Sequence, residues 1–173
     1  TEGIDPTWDA GVIVKEVEPD KTYAVGDYTW IDANKDGIQD ADEDVLAGVI
    51  VELFDGEGNK LGETTTDEHG FYLFDELPAG DYQVKFTLTD EQAAKYTFTK
   101  ADAGDDAKDS DANPETGLTI VFTLDDDNNA LTKDYDGVKA TEGIDPTWDA
   151  GVIVKEVEPE DKPEKTYAVG DYV

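Results

Sequence analysis

Residues 32 to 43 read DANKDGIQDADE, and their spacing matches the twelve-residue loop with which proteins wrap a calcium ion. Asp32, Asn34 and Asp36 fall at positions 1, 3 and 5, Gly37 at 6, Asp40 at 9 and Glu43 at 12, and Ile38 offers its carbonyl at 7. The chemistry explains the pattern. Calcium takes hard oxygen ligands, alternate side chains curl around it, glycine permits the sharp turn, and a terminal Glu closes the shell with both oxygens. A second acidic run, DDAKDSD, crowds Asp105, Asp106, Asp109 and Asp111 together. Like charges at that density are costly unless they share a cation, so this run is a second candidate site, with a solvated charged loop as the alternative. Asp125 to Asp127 and the DYDG at 134 to 137 read as loops first.

The segments that must hold the calcium loop do not look like an EF-hand. TYAVGDYTWI before it and AGVIVELF after it are short and rich in β-branched and aromatic residues, as strands are. An ion there would clamp two strands and would not open a helix pair as in a calcium sensor. The rest of the chain follows the same two-residue period. Tyr82, Val84, Phe86 and Leu88 alternate with polar residues, Leu118, Ile120, Phe122 and Leu124 alternate with Thr119, Val121 and Thr123, and Tyr96 with Phe98 forms a shorter example. Val49 to Phe54 is apolar except for Glu52, as a central strand would be. Turn sequences DGEGN, DEHG and LPAGD separate these runs. Short strands joined by short turns predict an all-β antiparallel sandwich. The capping-box pattern Thr89-Asp90-Glu91-Gln92 predicts a turn or two of helix before Tyr96.

Composition sets the environment. Thirteen Lys and Arg stand against 44 Asp and Glu, a formal net charge of −31. Such a surface repels nucleic acid and anionic lipid and draws cations. The 38% hydrophobic and 10% aromatic content is too high for an acidic disordered chain. No cysteine is present to form a disulfide, and no apolar run reaches the roughly 18 residues of a membrane span. Any export signal or anchor is expected in other segments, with no membrane insertion by this one. The lone His69 and the lone Ser110 supply no nucleophile and base pair, so no enzyme is expected.

The chain also repeats itself. TEGIDPTWDAGVIVKEVEP at 1 to 19 returns unchanged at 141 to 159, and KTYAVGDY at 21 to 28 returns at 165 to 172. A domain-sized period of a tandem array is the expectation. On that reading, 1 to 19 is the C-terminal strand segment of a preceding repeat and 20 to 159 a complete repeat. The stretch from 160 to 173 is then a linker and the first-strand start of the next repeat. Two copies of DAGVIV, at 9 to 14 and 149 to 154, meet the sequence condition for strand exchange between chains, although a monomer is expected. The later copy is expected to close the domain, with the earlier one on the periphery.

Five stretches carry a family resemblance in order: VGDYTWIDANKDGIQDADE, GVIVELFDGEGN, TTTDEHGFYLFDELPAGDYQVKF, YTFTKADAGDDAKDSDANPETG and DAGVIV. Together they resemble the SdrD B-like repeats of bacterial surface adhesins, calcium-binding relatives of the Cna protein B-type domain. The resemblance implies a Greek-key β-sandwich of the Cna B, prealbumin-like kind, with neighbouring repeats in tandem as partners. It also implies an extracellular stalk at the bacterial cell surface, projecting a ligand-binding head. It further implies that Asp109 to Asp111 and Asp149 bind calcium beside the loop, adds Asp27, and leads to roughly two to three Ca²⁺ per repeat. The stretch from Asp125 to Trp148 is longer than in the compact family pattern. A ligand-binding or carbohydrate-binding sandwich, with Trp8, Trp30 and Trp148 as a stacking platform, is the alternative function. Some Cna B-type domains carry a Lys to Asn or Asp isopeptide bond, but YAVGDYTWI has no Lys and the strand from Tyr82 to Leu88 has no Glu. Intact-mass measurement should therefore return the mass of the unmodified sequence, and a deficit of one water or one ammonia would contradict this.

Overall fold

The computed structural model describes residues 20 to 105, 107 to 135 and 137 to 156. The elements run β1 (Tyr23–Val25), β2 (Thr29–Ile31), β3 (Ile50–Asp55), β4 (Lys60–Thr65), β5 (Phe74–Leu77), β6 (Gly80–Thr87) and α1 (Asp90–Ala93). They continue with β7 (Tyr96–Phe98), β8 (Phe122–Leu124), β9 (Gly143–Asp145) and β10 (Ala150–Val154). The apolar run at 49 to 54 becomes β3, paired antiparallel with β4 on one side and β6 on the other, and β8 completes the order β4-β3-β6-β8. Tyr82, Val84 and Phe86 of β6 are buried, as their alternation requires. Asp55 fixes the β3–β4 turn by accepting from the Asn59 side-chain amide and from the backbone N–H groups of Asn59 and Glu57, and these bonds, the Asn59 amide first, hold its carboxyl below the usual range. Thr89 caps α1 through a complete capping box with Gln92.

The remaining strands form two shorter ladders laid end to end along residues 23 to 31, β5-β1-β9 and β2-β10-β7. β9 and β10 come from the second copy of the duplicated segment. β9 runs parallel to β1 (Tyr23↔Gly143, Val25↔Asp145), and β10 runs parallel to β2 (Ala150↔Thr29, Val152↔Ile31). β10 is therefore interior, with β7 antiparallel on its other side. The sequence expectation of a wholly antiparallel sandwich is corrected here. Parallel neighbours cannot be joined by a hairpin, and here β1 and β9, and β2 and β10, are separated along the chain by all four strands of the other layer.

Side chains from both layers make one core, including Tyr23, Val25, Val51, Leu53, Tyr72, Val84, Phe86, Leu124, Trp148 and Val152. Phe122 stacks on Trp148 with centroids 4.3 Å apart, and Tyr72 meets Phe86 edge-on at 5.5 Å. The alternation expected from Leu118 to Leu124 breaks down in its first half. Thr119 turns inward, where its hydroxyl accepts from the Val84 N–H and its own N–H donates to the Val84 carbonyl. One residue thus uses both backbone positions of Val84, the pairing slips, and Ile120 and Val121 are left exposed at 69% and 50%. Leu124→Ala should then cost about 2–5 kcal/mol in denaturant unfolding. Ile120→Ala should stay within about 0.5 kcal/mol, whereas a regular strand would make the two comparable.

Candidate metal centre

β2 leads straight into the acidic loop, because the Asp32 N–H donates to the Val152 carbonyl of β10 and extends the parallel ladder by one bond. Asp32 is buried. Its carboxylate accepts from the N–H groups of Asp36 (3.2 Å) and Gly37 (2.9 Å) and from the Thr99 hydroxyl. The sharp bend falls where the loop pattern requires it, with Gly37 at φ +77°. A Cβ there would lie 2.9 Å from the Lys100 carbonyl oxygen, so the site excludes larger residues on packing as well as on backbone grounds. Glu43 closes the loop, its two oxygens accepting from the N–H groups of Ala33 (2.8 Å) and Asp40 (3.1 Å). Between them, the Asn34 side-chain nitrogen donates to Asp36 at 2.9 Å and to Asp40 at 3.0 Å. One amide thus bridges two carboxylates.

The second acidic run packs directly on this loop. Ile38 pairs with Asp109, the Gln39 N–H donates to the Lys108 carbonyl at 2.7 Å, and the Ser110 N–H donates to the Gly37 carbonyl. Asp109 is buried, and its carboxylate accepts from the Gly104 N–H. On its far side the run reaches β10. The Asp111 N–H donates to the Asp149 carbonyl, the Asp149 N–H donates to the Asp111 carboxylate at 2.9 Å, and the Ser110 hydroxyl accepts from the Gly151 N–H. Asp32, Asp109, Asp111 and Asp149 are all buried, Asp111 the most exposed of them at 8%. The loop at 32 to 43, the run around Asp109 to Asp111 and the start of β10 thus meet at one end of the sandwich. Asp105 lies in the turn that leads into the run, and its carbonyl accepts from the Lys108 and Asp109 N–H groups. Asp106 lies outside the described residues.

Asp27 sits apart from the loop, at the break between β1 and β2. Burial pushes its carboxyl up to about 8, against a hydrogen bond from the Tyr28 backbone, and the negative charge of Asp145 adds to the rise. Tyr72 donates from its hydroxyl to the Trp148 carbonyl and feels the charge of these acids. Burial raises its hydroxyl well above the ordinary value, and Asp27, Asp149, Asp111 and Asp145 each add to the rise.

The donor chemistry fits a hard divalent cation. Asp32, Asn34, Asp36, Asp40, Glu43 and the Ile38 carbonyl supply oxygens along a loop that already bends at glycine. Among the described residues, however, no three acidic side chains gather on a common metal-sized point. The loop's oxygens hold backbone N–H groups and the Asn34 amide, so binding an ion through Asn34 would require that amide to turn its oxygen inward.

Three participants escaped the sequence reading. Thr99 binds Asp32 from β7's end, and nothing in the sequence marks it. Ser110, which the sequence offers only as a lone hydroxyl, joins the acidic run to β10. Asp145 accepts from Thr147 (N–H and hydroxyl), the Asn128 amide and the Trp148 indole, and the Asp-Pro-Thr sequence is the turn signal that could have revealed it. Of the aromatic platform, Trp30 and Trp148 are buried, and Trp8 lies outside the described residues.

The model of the SdrD B-like domain family matches residues 23–138, well over half of the chain. Serine-aspartate repeat-containing protein C from Staphylococcus aureus strains N315 and Newman is in each case 50% identical over 99 residues. Those residues are 57% of this chain and 10% of the relative, so the match spans about a tenth of the relatives' length. Among solved structures, BcpA, the major pilin subunit of Bacillus cereus, aligns at TM-score 0.42 and 17% identity over 79% of this chain and 31% of its own. GBS52, the minor pilin of Streptococcus agalactiae, aligns at 0.41 and 14% over 84% and 49%. With the family match spanning β1 to the residues before β9, the chain belongs to the SdrD B-like domain family.

Proposed function

We propose that this chain is a calcium-stabilised structural spacer, one link of a stalk of tandem repeats on the outside of a bacterial cell that holds a ligand-binding head away from the surface. Family membership and the duplicated segment support the repeat role. The observation that carries the calcium reading is the Asn34 amide between Asp36 and Asp40, in a loop that begins at buried Asp32 and pairs through Ile38 with buried Asp109. Donors around Asp32 and Asp109 are neutral N–H and hydroxyl groups. Such donors offset part of the cost of burying a carboxylate, whereas a divalent cation would remove the mutual repulsion as well.

In this reading the ion does no chemistry on a substrate. It supplies positive charge that fastens the β2 end to the 105–111 run. Asp32 and Glu43 set the two ends of the loop, Gly37 sets its bend, and the contacts from Ser110 and Asp111 to β10 carry the ordering into the closing strand. By mass action, a ligand at 100 times its dissociation constant adds about 2.7 kcal/mol per site. Two such sites would rival the ~5–15 kcal/mol stability of a whole domain.

Thermal melting in calcium and in EDTA tests this directly. The calcium-loaded protein should melt at a clearly higher temperature, and Asp32→Ala should lose most of that shift. Superimposable wild-type curves would refute the reading. Proton linkage gives a second check in metal-free protein. Because Asp27 titrates near 8 when folded and far lower when unfolded, the folded state binds the extra proton between about pH 4 and 8, and stability falls as pH rises through that window. Asp27→Asn should flatten that fall relative to wild type, whereas parallel pH profiles would show that Asp27 is ionised in the fold.

A further inference from the structure

The slot filled by β9 and β10 lies inside the layer along β10 and at the edge of its ladder along β9. β10 has β2 on one side and β7 on the other, and β9 pairs with β1. It is also selective. A Cβ on Gly151 would lie 2.8 Å from both Trp30 Cζ2 and Thr99 Cγ2, so only glycine passes over the indole there. Val152 is buried beside it, and Trp148 fills the space over Phe122. Every one of these residues recurs in the first copy of the segment, where Trp8, Gly11 and Val12 stand at the positions of Trp148, Gly151 and Val152. Residues 1 to 14 carry the same side chains in the same order as residues 141 to 154, and so meet every requirement of the slot.

Strand direction decides whose slot the first copy can fill. β9 and β10 run parallel to β1 and β2, so an N-terminal copy seated in its own domain would finish beyond Ile31, at the far end from Tyr23 where its chain must resume. The return covers about 30 Å of strand. The connector from Val14 to Tyr23 reaches about 30 Å only when fully stretched, and it must also cross the layer. A slot on another chain imposes no such return. We propose that the slot is a docking surface for the N-terminal segment of a second copy of this chain, so that residues 1 to 14 of one molecule can replace residues 141 to 154 of the next. The donor segment and the acceptor slot are different parts of the chain, so the arrangement is head-to-tail and builds open chains or rings. Covalent tandem repeats would use the same slot with a donor from the same polypeptide.

Paired variants of the full chain test this, read by light scattering after size exclusion and by near-ultraviolet circular dichroism, in calcium. Gly151→Val with Val152→Asp spoils the C-terminal copy. This variant should keep the native aromatic signal and run at multiples of the single-chain mass. Adding excess synthetic peptide of residues 141 to 159 should bring it back to single chains. Gly11→Val with Val12→Asp should behave as the wild type, since its own C-terminal copy is intact. The fourfold variant should lose the aromatic signal. The proposal is overturned if the C-terminal variant loses that signal as fully as the fourfold variant does, or if it is a native single chain without peptide.

Discussion

The structure depends on the burial of carboxylates where β2 ends, where the 105–111 run turns, and where β10 begins. Asp32, Asp109, Asp111 and Asp149 are buried in a chain of net charge −31, so this end of the sandwich gathers acidic groups that the hydrophobic core does nothing to stabilise. Backbone N–H groups and the hydroxyls of Thr99 and Ser110 are spent on holding these segments together. The acids therefore bear on closure of the fold as well as on the loop. Asp149 immediately precedes the strand that seals the layer, and Asp32 immediately follows the strand it seals against.

In the stalk proposed for this repeat, that coupling would have a physical logic. An array under tension or dilution fails where a closing strand peels away, and here the closing strand is anchored at its start by contacts to Asp111 and Ser110 and along its length by β2 and β7. Cation binding at the loop would tighten the same end. The segment that closes the fold is also the one the sequence duplicates without change, which ties each repeat's integrity to a sequence its neighbour also carries.

Much of this was legible beforehand because it is local. The loop spacing, the bend at Gly37, the capping box of Thr89 and Gln92, and the alternation of Tyr82, Val84 and Phe86 each rest on a few consecutive residues. What escaped depends on partners far along the chain. The parallel seating of β9 and β10 pairs strands from opposite ends of the described chain, with the whole of the other layer between them, and such a pairing has no local sequence signature. Thr119 turns inward because its hydroxyl and its N–H both find Val84, so a flawless alternation through Ile120 points the wrong way. Thr99 reaches Asp32 across 67 positions. The proximity of the 105–111 run to the loop entered through family resemblance and charge density, and the pairing of Ile38 with Asp109 gives it a geometric basis.

The most direct measurement of the central claim is an anomalous difference map at long wavelength from crystals grown with abundant calcium. The account predicts a calcium peak enclosed by Asp32, Asp36, Asp40 and Glu43, with the Asn34 oxygen turned toward it. Water or empty density at that point, with Asn34 still bridging Asp36 and Asp40 through its nitrogen, would contradict it.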